Sequence, residues 1–151
     1  MDLMQILADK KKIQLHLHVK NHSIPKIKVD VMRFREVIEN LIGNAIEYSL
    51  KPGTVDITLS KKDKDIVISV EDTGIGISNS DQKKLFSKFF RSETAIKHNP
   101  EGSGLGLYVV KSYVEGWSGK IVVKSSEGKG SKFTVYLPIS QKKSSKKEAS
   151  V

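Results

Sequence analysis

The chain has 151 residues, 38% of them hydrophobic and 28% charged, the profile of one globular domain with a core of its own. This excludes wholesale disorder, collagen and a disulfide-stapled miniprotein. With no cysteine there is no disulfide, thiolate metal site or cysteine nucleophile. Of the formal charge of +9, four lysines against Glu148 in residues 140–151 carry +3, leaving +6 for the body.

Residues 2–11 predict a helix, with Leu3, Ile6 and Leu7 on one side and Lys10, Lys11 and Lys12 at its end. Residues 13–19 alternate Ile13, Leu15, Leu17 and Val19 against Gln14, His16 and His18, the pattern of a half-buried strand. Asp30 is placed to N-cap a helix over 31–48 whose apolar face carries Phe34, Val37, Ile38, Leu41, Ala45 and Tyr48. Pro52-Gly53 ends that unit, and residues 54–60 and 65–71 alternate as a hairpin. A glycine-rich loop follows over 72–77, then a short helix within 79–90. Residues 92–101 lack a period and contain Asn99-Pro100, which predicts a loop. A second glycine-rich segment, 102–106, opens a helix to about Trp117. Residues 120–126 and 132–139 read as a last hairpin, and 140–151 as a disordered, lysine-rich tail. The order predicts an α+β sandwich, a mixed, mostly antiparallel five-stranded sheet covered by about three helices.

Three segments carry chemistry. At 100° per residue, Glu36, Asn40, Asn44 and Glu47 fall within about 80° of one another on the 31–48 helix. That stripe is either a solvated face or two amides, one turn apart, offering carbonyl oxygens to a hard cation such as Mg²⁺. Asp72-Thr73-Gly74-Ile75-Gly76-Ile77 follows a strand. It is either turn chemistry or an acceptor for an exocyclic amine beside a backbone that a flat ligand can approach. Gly102-Ser103-Gly104-Leu105-Gly106-Leu107 opens a helix, where free amides and the helix dipole favour phosphate. Arg91 and Lys97 are near enough in sequence to meet phosphate oxygens. The P-loop, the dinucleotide fingerprint, the eukaryotic protein-kinase motifs and metal-cage spacings are all absent.

Taken together the segments resemble sensor histidine kinases. Residues 40–49, Asn-Leu-Ile-Gly-Asn-Ala-Ile-Glu-Tyr-Ser, resemble the N box, and 72–77 the first glycine box. Residues 85–91, Leu-Phe-Ser-Lys-Phe-Phe-Arg, resemble the F box, 102–107 the second glycine box, and Gly128-Lys129-Gly130-Ser131 the last small one. Five motifs in order across residues 1–139 imply the ATP-binding catalytic domain of a two-component kinase, on the Bergerat fold. The resemblance implies that Asp72 binds the adenine amino group, with Gly74, Ile75, Gly76 and Ile77 shaping the base pocket. Asn44, helped by Asn40, would hold Mg²⁺. Glu47, Tyr48 and Phe89 would lie by the nucleotide. Arg91 and the backbone of Gly102, Ser103, Gly104, Leu105, Gly106 and Leu107 would face its phosphates. Asn40, Asn44 and Arg91 are the expected catalytic residues, and 92–101 the ATP lid.

Two departures stand out. Position 47, often Lys in the family, is Glu47, with Lys88, Arg91 and Lys97 as candidate compensators. No acceptor histidine is evident: His16 and His18 read as exposed on a strand, His22 as in a turn and His98 as in the lid. The expected unit is therefore a catalytic domain over 12–139 after a connecting-helix remnant over 1–11. Its partners would be a His-bearing dimerisation domain and, downstream, a response regulator. The expected setting is cytoplasmic and monomeric, without nucleic acid or membrane contact by this chain. The alternatives are a serine kinase of the anti-sigma type, a non-catalytic nucleotide sensor, or a hydrolase. Hydrolases of this fold use a Glu base where Asn40 stands here, and a neutral amide takes no proton from water.

Overall fold

The computed structural model describes residues 2–21 and 23–140; His22 and the tail beyond Ser140 lie outside them. Five strands form one sheet in the order β1-β2-β3-β5-β4. They are β1 (Ile13–Val19), β2 (Gly53–Lys62), β3 (Asp65–Asp72), β4 (Lys120–Ser126) and β5 (Gly130–Pro138). β1 runs parallel to β2, and every other pairing is antiparallel. The parallel pair is possible because a whole helix crosses between its strands.

That helix is α2 (Val31–Tyr48), and its start is set as expected: Asp30 accepts from the Arg33 N–H at 2.9 Å. Its 3.6-residue period buries Val37, Leu41, Ile42, Ala45 and Ile46 over β2 and β3. α5 (Gly106–Gly116) lies beside it over β4 and β5, burying Val110 and Val114. Phe34, Tyr113 and Trp117 stack across the α2–α5 seam. α1 (Asp2–Lys11) completes the layer against β1 and α2, turning Ala8 inward. Its stripe of Leu3, Ile6 and Leu7 stays exposed.

Opposed residues of paired strands share a face. One helix-facing row therefore runs Leu15, Val55, Asp72, Ser131 and Ser125. The next runs Leu17, Ile57, Val70, Phe133 and Val123. Asp72 thus ends β3 inside the sandwich rather than in the loop.

Three expectations need correction. The helix within 79–90 is a single turn, α3 (Asn79–Gln82), capped by Ser78 and followed by turns. Residues 92–101 contain a helix, α4 (Glu93–His98), whose Ser92 cap accepts from the Ala95 N–H at 3.1 Å. Its cap and charge order suit the helix dipole, although no apolar stripe betrays it. β1 is buried only at its start: Leu17 and Val19 are each 55% exposed, because β1 is an edge strand whose far end no helix covers. Among the described residues no helix is long and apolar enough to cross a membrane.

Candidate functional site

A cleft of about 280 Å³ opens between the C-terminal half of α2, the end of β3 and the start of α5. α2 contributes Asn40, Asn44, Glu47 and Tyr48, four positions of the polar stripe and its border. Asp72, Ile75, Gly76 and Ile77 line one end. Gly102, Ser103, Gly104, Gly106 and Leu107 line the opposite wall, with Arg91 at the rim.

Asp72 is 6% exposed. Its Oδ1 accepts the Gly74 N–H at 2.9 Å and the Ser131 N–H at 3.2 Å. With Oδ1 engaged twice, Oδ2 is the oxygen left to a donor entering the cleft. Burial raises the carboxyl from its ordinary 3.8 to about 6; the two backbone N–H groups oppose this, and Glu71 adds to it.

The loop after Asp72 is clamped from both sides. Ile75 N–H donates to the Tyr48 carbonyl at 3.0 Å, and its own carbonyl accepts from Gly128 at 2.7 Å. Gly76 sits at φ +68°, where a Cβ would lie 1.9 Å from the Ser126 carbonyl oxygen. Only glycine satisfies both the positive φ and that approach.

Asn40 is oriented by donating Nδ2 to the Glu36 carbonyl at 2.9 Å. Its Oδ1 faces the start of α5, 2.6 Å from where a Gly106 Cβ would be. Asn44 lies one turn on, lining the same cleft.

The segment after Arg91 is pinned by that residue. The Arg91 guanidinium donates to the Ala95 carbonyl at 3.1 Å, Pro100 at 3.1 Å and Gly102 at 2.9 Å, and also to that of Asn99. His98 docks the end of α4 onto α2, its Nε2 2.7 Å from the Glu47 carbonyl oxygen and its ring 5.6 Å from that of Tyr48. Glu47 itself pairs with Lys11 of α1. Lys88 stacks over Phe89 and Tyr108 instead.

Of the residues expected here, Gly74, Phe89 and Leu105 do not line the cleft. Gly74 packs under it, against the Tyr48 carbonyl and Asp72. Phe89 is 66% exposed at φ +64°, and Leu105 is the N-cap position of α5. The cleft is also lined by Leu85 and Phe90 of the F-box segment, by Ser92, Ala95 and Asn99 of the segment expected to cover it, by Ser131 and by Phe133, none of them named beforehand as an individual binding residue. Ser131 carried a signal, because the glycine turn before it was recognised. Phe133 carried none beyond strand alternation.

The sequence profile of the histidine kinase-, DNA gyrase B-, and HSP90-like ATPases matches residues 29–141. The circadian input-output histidine kinase CikA of Synechococcus elongatus is 38% identical over 128 residues, 84% of this chain and 17% of that protein. The sensor histidine kinase ZraS of Escherichia coli K12 is 38% identical over 132 residues, 87% of this chain and 27% of ZraS. The chain thus spans about a quarter or less of these relatives' length. The crystallised catalytic domain of histidine kinase ThkA superposes with a TM-score of 0.78 at 28% identity, covering 91% of this chain and 86% of that one. Full-length ShkA in complex with AMPPNP gives 0.79 at 28% identity, covering 93% and 28%. The chain belongs to the histidine kinase-, DNA gyrase B-, and HSP90-like ATPase family, as a catalytic ATP-binding domain of the sensor histidine kinase kind.

Proposed function

We propose that this chain binds ATP with Mg²⁺ in the α2–α5 cleft and delivers the γ-phosphoryl group to a histidine on a separate dimerisation domain. The observation that carries this reading is Asp72: a buried carboxylate with one oxygen fixed by two backbone N–H groups and the other left for a base amine. Asn40 and Asn44 form a neutral oxygen donor set that suits Mg²⁺, which shares its coordination with phosphates and water. Bound there, the ion supplies charge neutralisation at the β- and γ-phosphates. The chain's own residues do the rest: Asp72 orients the base, the Gly106 end of α5 offers N–H groups to phosphate, and the lid excludes water. Glu36, one turn before the base position of the hydrolases, and Glu39 beside it are both exposed and outside the cleft lining.

Transfer is the test. The chain, Mg-ATP and a separately produced His-bearing dimerisation domain are combined, and acid-labile phosphate on that domain is measured. Free phosphate released at the same rate without the acceptor would place the chain with the hydrolases.

Two further outcomes follow from the geometry. Gly106→Ala puts a methyl 2.6 Å from Asn40 Oδ1, so the amide must swing away. Mg²⁺-dependent ATP affinity is expected to fall about tenfold with melting temperature nearly unchanged, since the displaced group is a side-chain end. Lys11→Met unpairs the Glu47 carboxylate at the cleft edge and is expected to weaken ATP binding about threefold to tenfold. Glu47→Gln added to it restores affinity; calorimetric titration of the three variants checks this.

A further inference from the structure

The sheet face away from the helices carries a second constellation. His16 and His18 project from it on β1, two residues apart, and the parallel register sets Asp56 of β2 directly opposite His16. Nδ1 of His16 lies 3.3 Å from Asp56 Oδ1, and Nε2 of His18 lies 2.8 Å from the same oxygen. The three ligand atoms all fall within 4.8 Å of one another. The nearest other carboxylate in that row, Glu71, is held by Lys132 at 2.8 Å.

We propose that His16, His18 and Asp56 form a surface site for Zn²⁺, distinct from the nucleotide cleft. A tetrahedral zinc with bonds of about 2.0–2.1 Å separates its ligands by about 3.4 Å. The observed separations need only small side-chain shifts to meet that. Two imidazoles and one carboxylate select a borderline late transition metal over Mg²⁺ or Ca²⁺, which want oxygen alone. The rings now share hydrogen with Asp56; the ion takes that position, and each neutral ring keeps its hydrogen on the other nitrogen. β1 is the edge strand, so water completes the fourth position. The bound ion ties β1 to β2 next to the stretch where Leu17 and Val19 lack cover. The spacing of the histidines alone does not reveal this site, because the third ligand arrives 40 residues later through strand register.

The test is calorimetric titration of Zn²⁺ into the untagged, nucleotide-free chain, beside Asp56→Asn and the double variant His16→Asn/His18→Asn. One zinc per chain is expected, with affinity lowered tenfold or more in both variants. Zn²⁺ should also raise the melting temperature of the native chain but not of the variants, and equimolar Mg²⁺ should raise neither. All three groups are at the surface, so circular dichroism and ATP binding of the variants should match the native chain. Equal zinc affinity in the native chain and the double variant overturns the proposal, as does the absence of saturable binding.

Discussion

Asp72→Asn is expected to weaken ATP binding about a hundredfold while raising the melting temperature at pH 7.5. The two effects have one cause. Asn keeps an oxygen to accept from Gly74 and Ser131, so the turn survives. What faces the cleft changes from an acceptor to an N–H donor, which opposes the donor hydrogen of an adenine amine. Losing a charge-assisted hydrogen bond costs about 1.5–3 kcal/mol, close to a hundredfold at the upper end. The stability effect has the opposite sign. Burial holds Asp72 near 6 in the folded chain against 3.8 unfolded, so folding must bury a charge whenever the pH lies above about 6. That penalty is about 3 kcal/mol at neutral pH and fades as the pH falls from about 6 to about 4, where the unfolded chain also takes up the proton. The uncharged Asn escapes it, which for a domain of this size corresponds to several degrees. Thermal melts of both proteins at pH 7.5 and pH 4.5 check the sign: the advantage of the variant should be largest at 7.5. ATP affinity of the native chain should fall below pH 6 for the same reason. A variant that melts lower at pH 7.5 would mean that the carboxylate stabilises the fold rather than straining it.

This opposition explains why Asp72 could be found by reading and its cost could not. An acid between a strand and two glycines is a local pattern, and so is the N-cap and apolar period that places α2. β2, β3, β4 and β5 were equally legible, because alternation survives wherever one face is buried. Other features depend on distant partners. Leu17 and Val19 belong to an alternating strand, yet stay exposed because the strand order leaves β1 at the edge. Lys11 reaches Glu47 across 36 residues, a pairing that no local pattern announces. α4 is too short for a hydrophobic period to develop, and its marks are a Ser cap and the order of its charges. Phe133 and Leu85 reach the cleft only because the sheet and the turns after α3 converge there. Motif residues announce what a site must touch, whereas the walls around it are set by packing.

We propose that Arg91 is where the 92–101 lid and the chemistry meet, so that replacing it is expected to affect both. Its guanidinium donates to four carbonyls between Ala95 and Gly102, and a Gly102 Cβ would sit only 2.9 Å from its Cζ. Four acceptors nearly exhaust five N–H donors, so a phosphate can take the guanidinium only as the lid carbonyls release it. On the proposed role, ATP binding and lid movement would be one exchange of partners, with the planar fork serving first backbone and then phosphate. Arg91→Ala removes the pin: amide hydrogen exchange across 92–102 should accelerate about thirtyfold, corresponding to about 2 kcal/mol of local opening energy. If Arg91 neutralises phosphate charge as proposed, phosphoryl transfer should fall by at least a hundredfold. Arg91→Lys separates the two roles. A lysine keeps the charge but cannot span four carbonyls, so it should restore part of the transfer rate while leaving the lid exchanging as fast as in the alanine variant. Slow exchange in the lysine variant would mean that charge alone holds the lid, and that the fork geometry around residues 95–102 is dispensable.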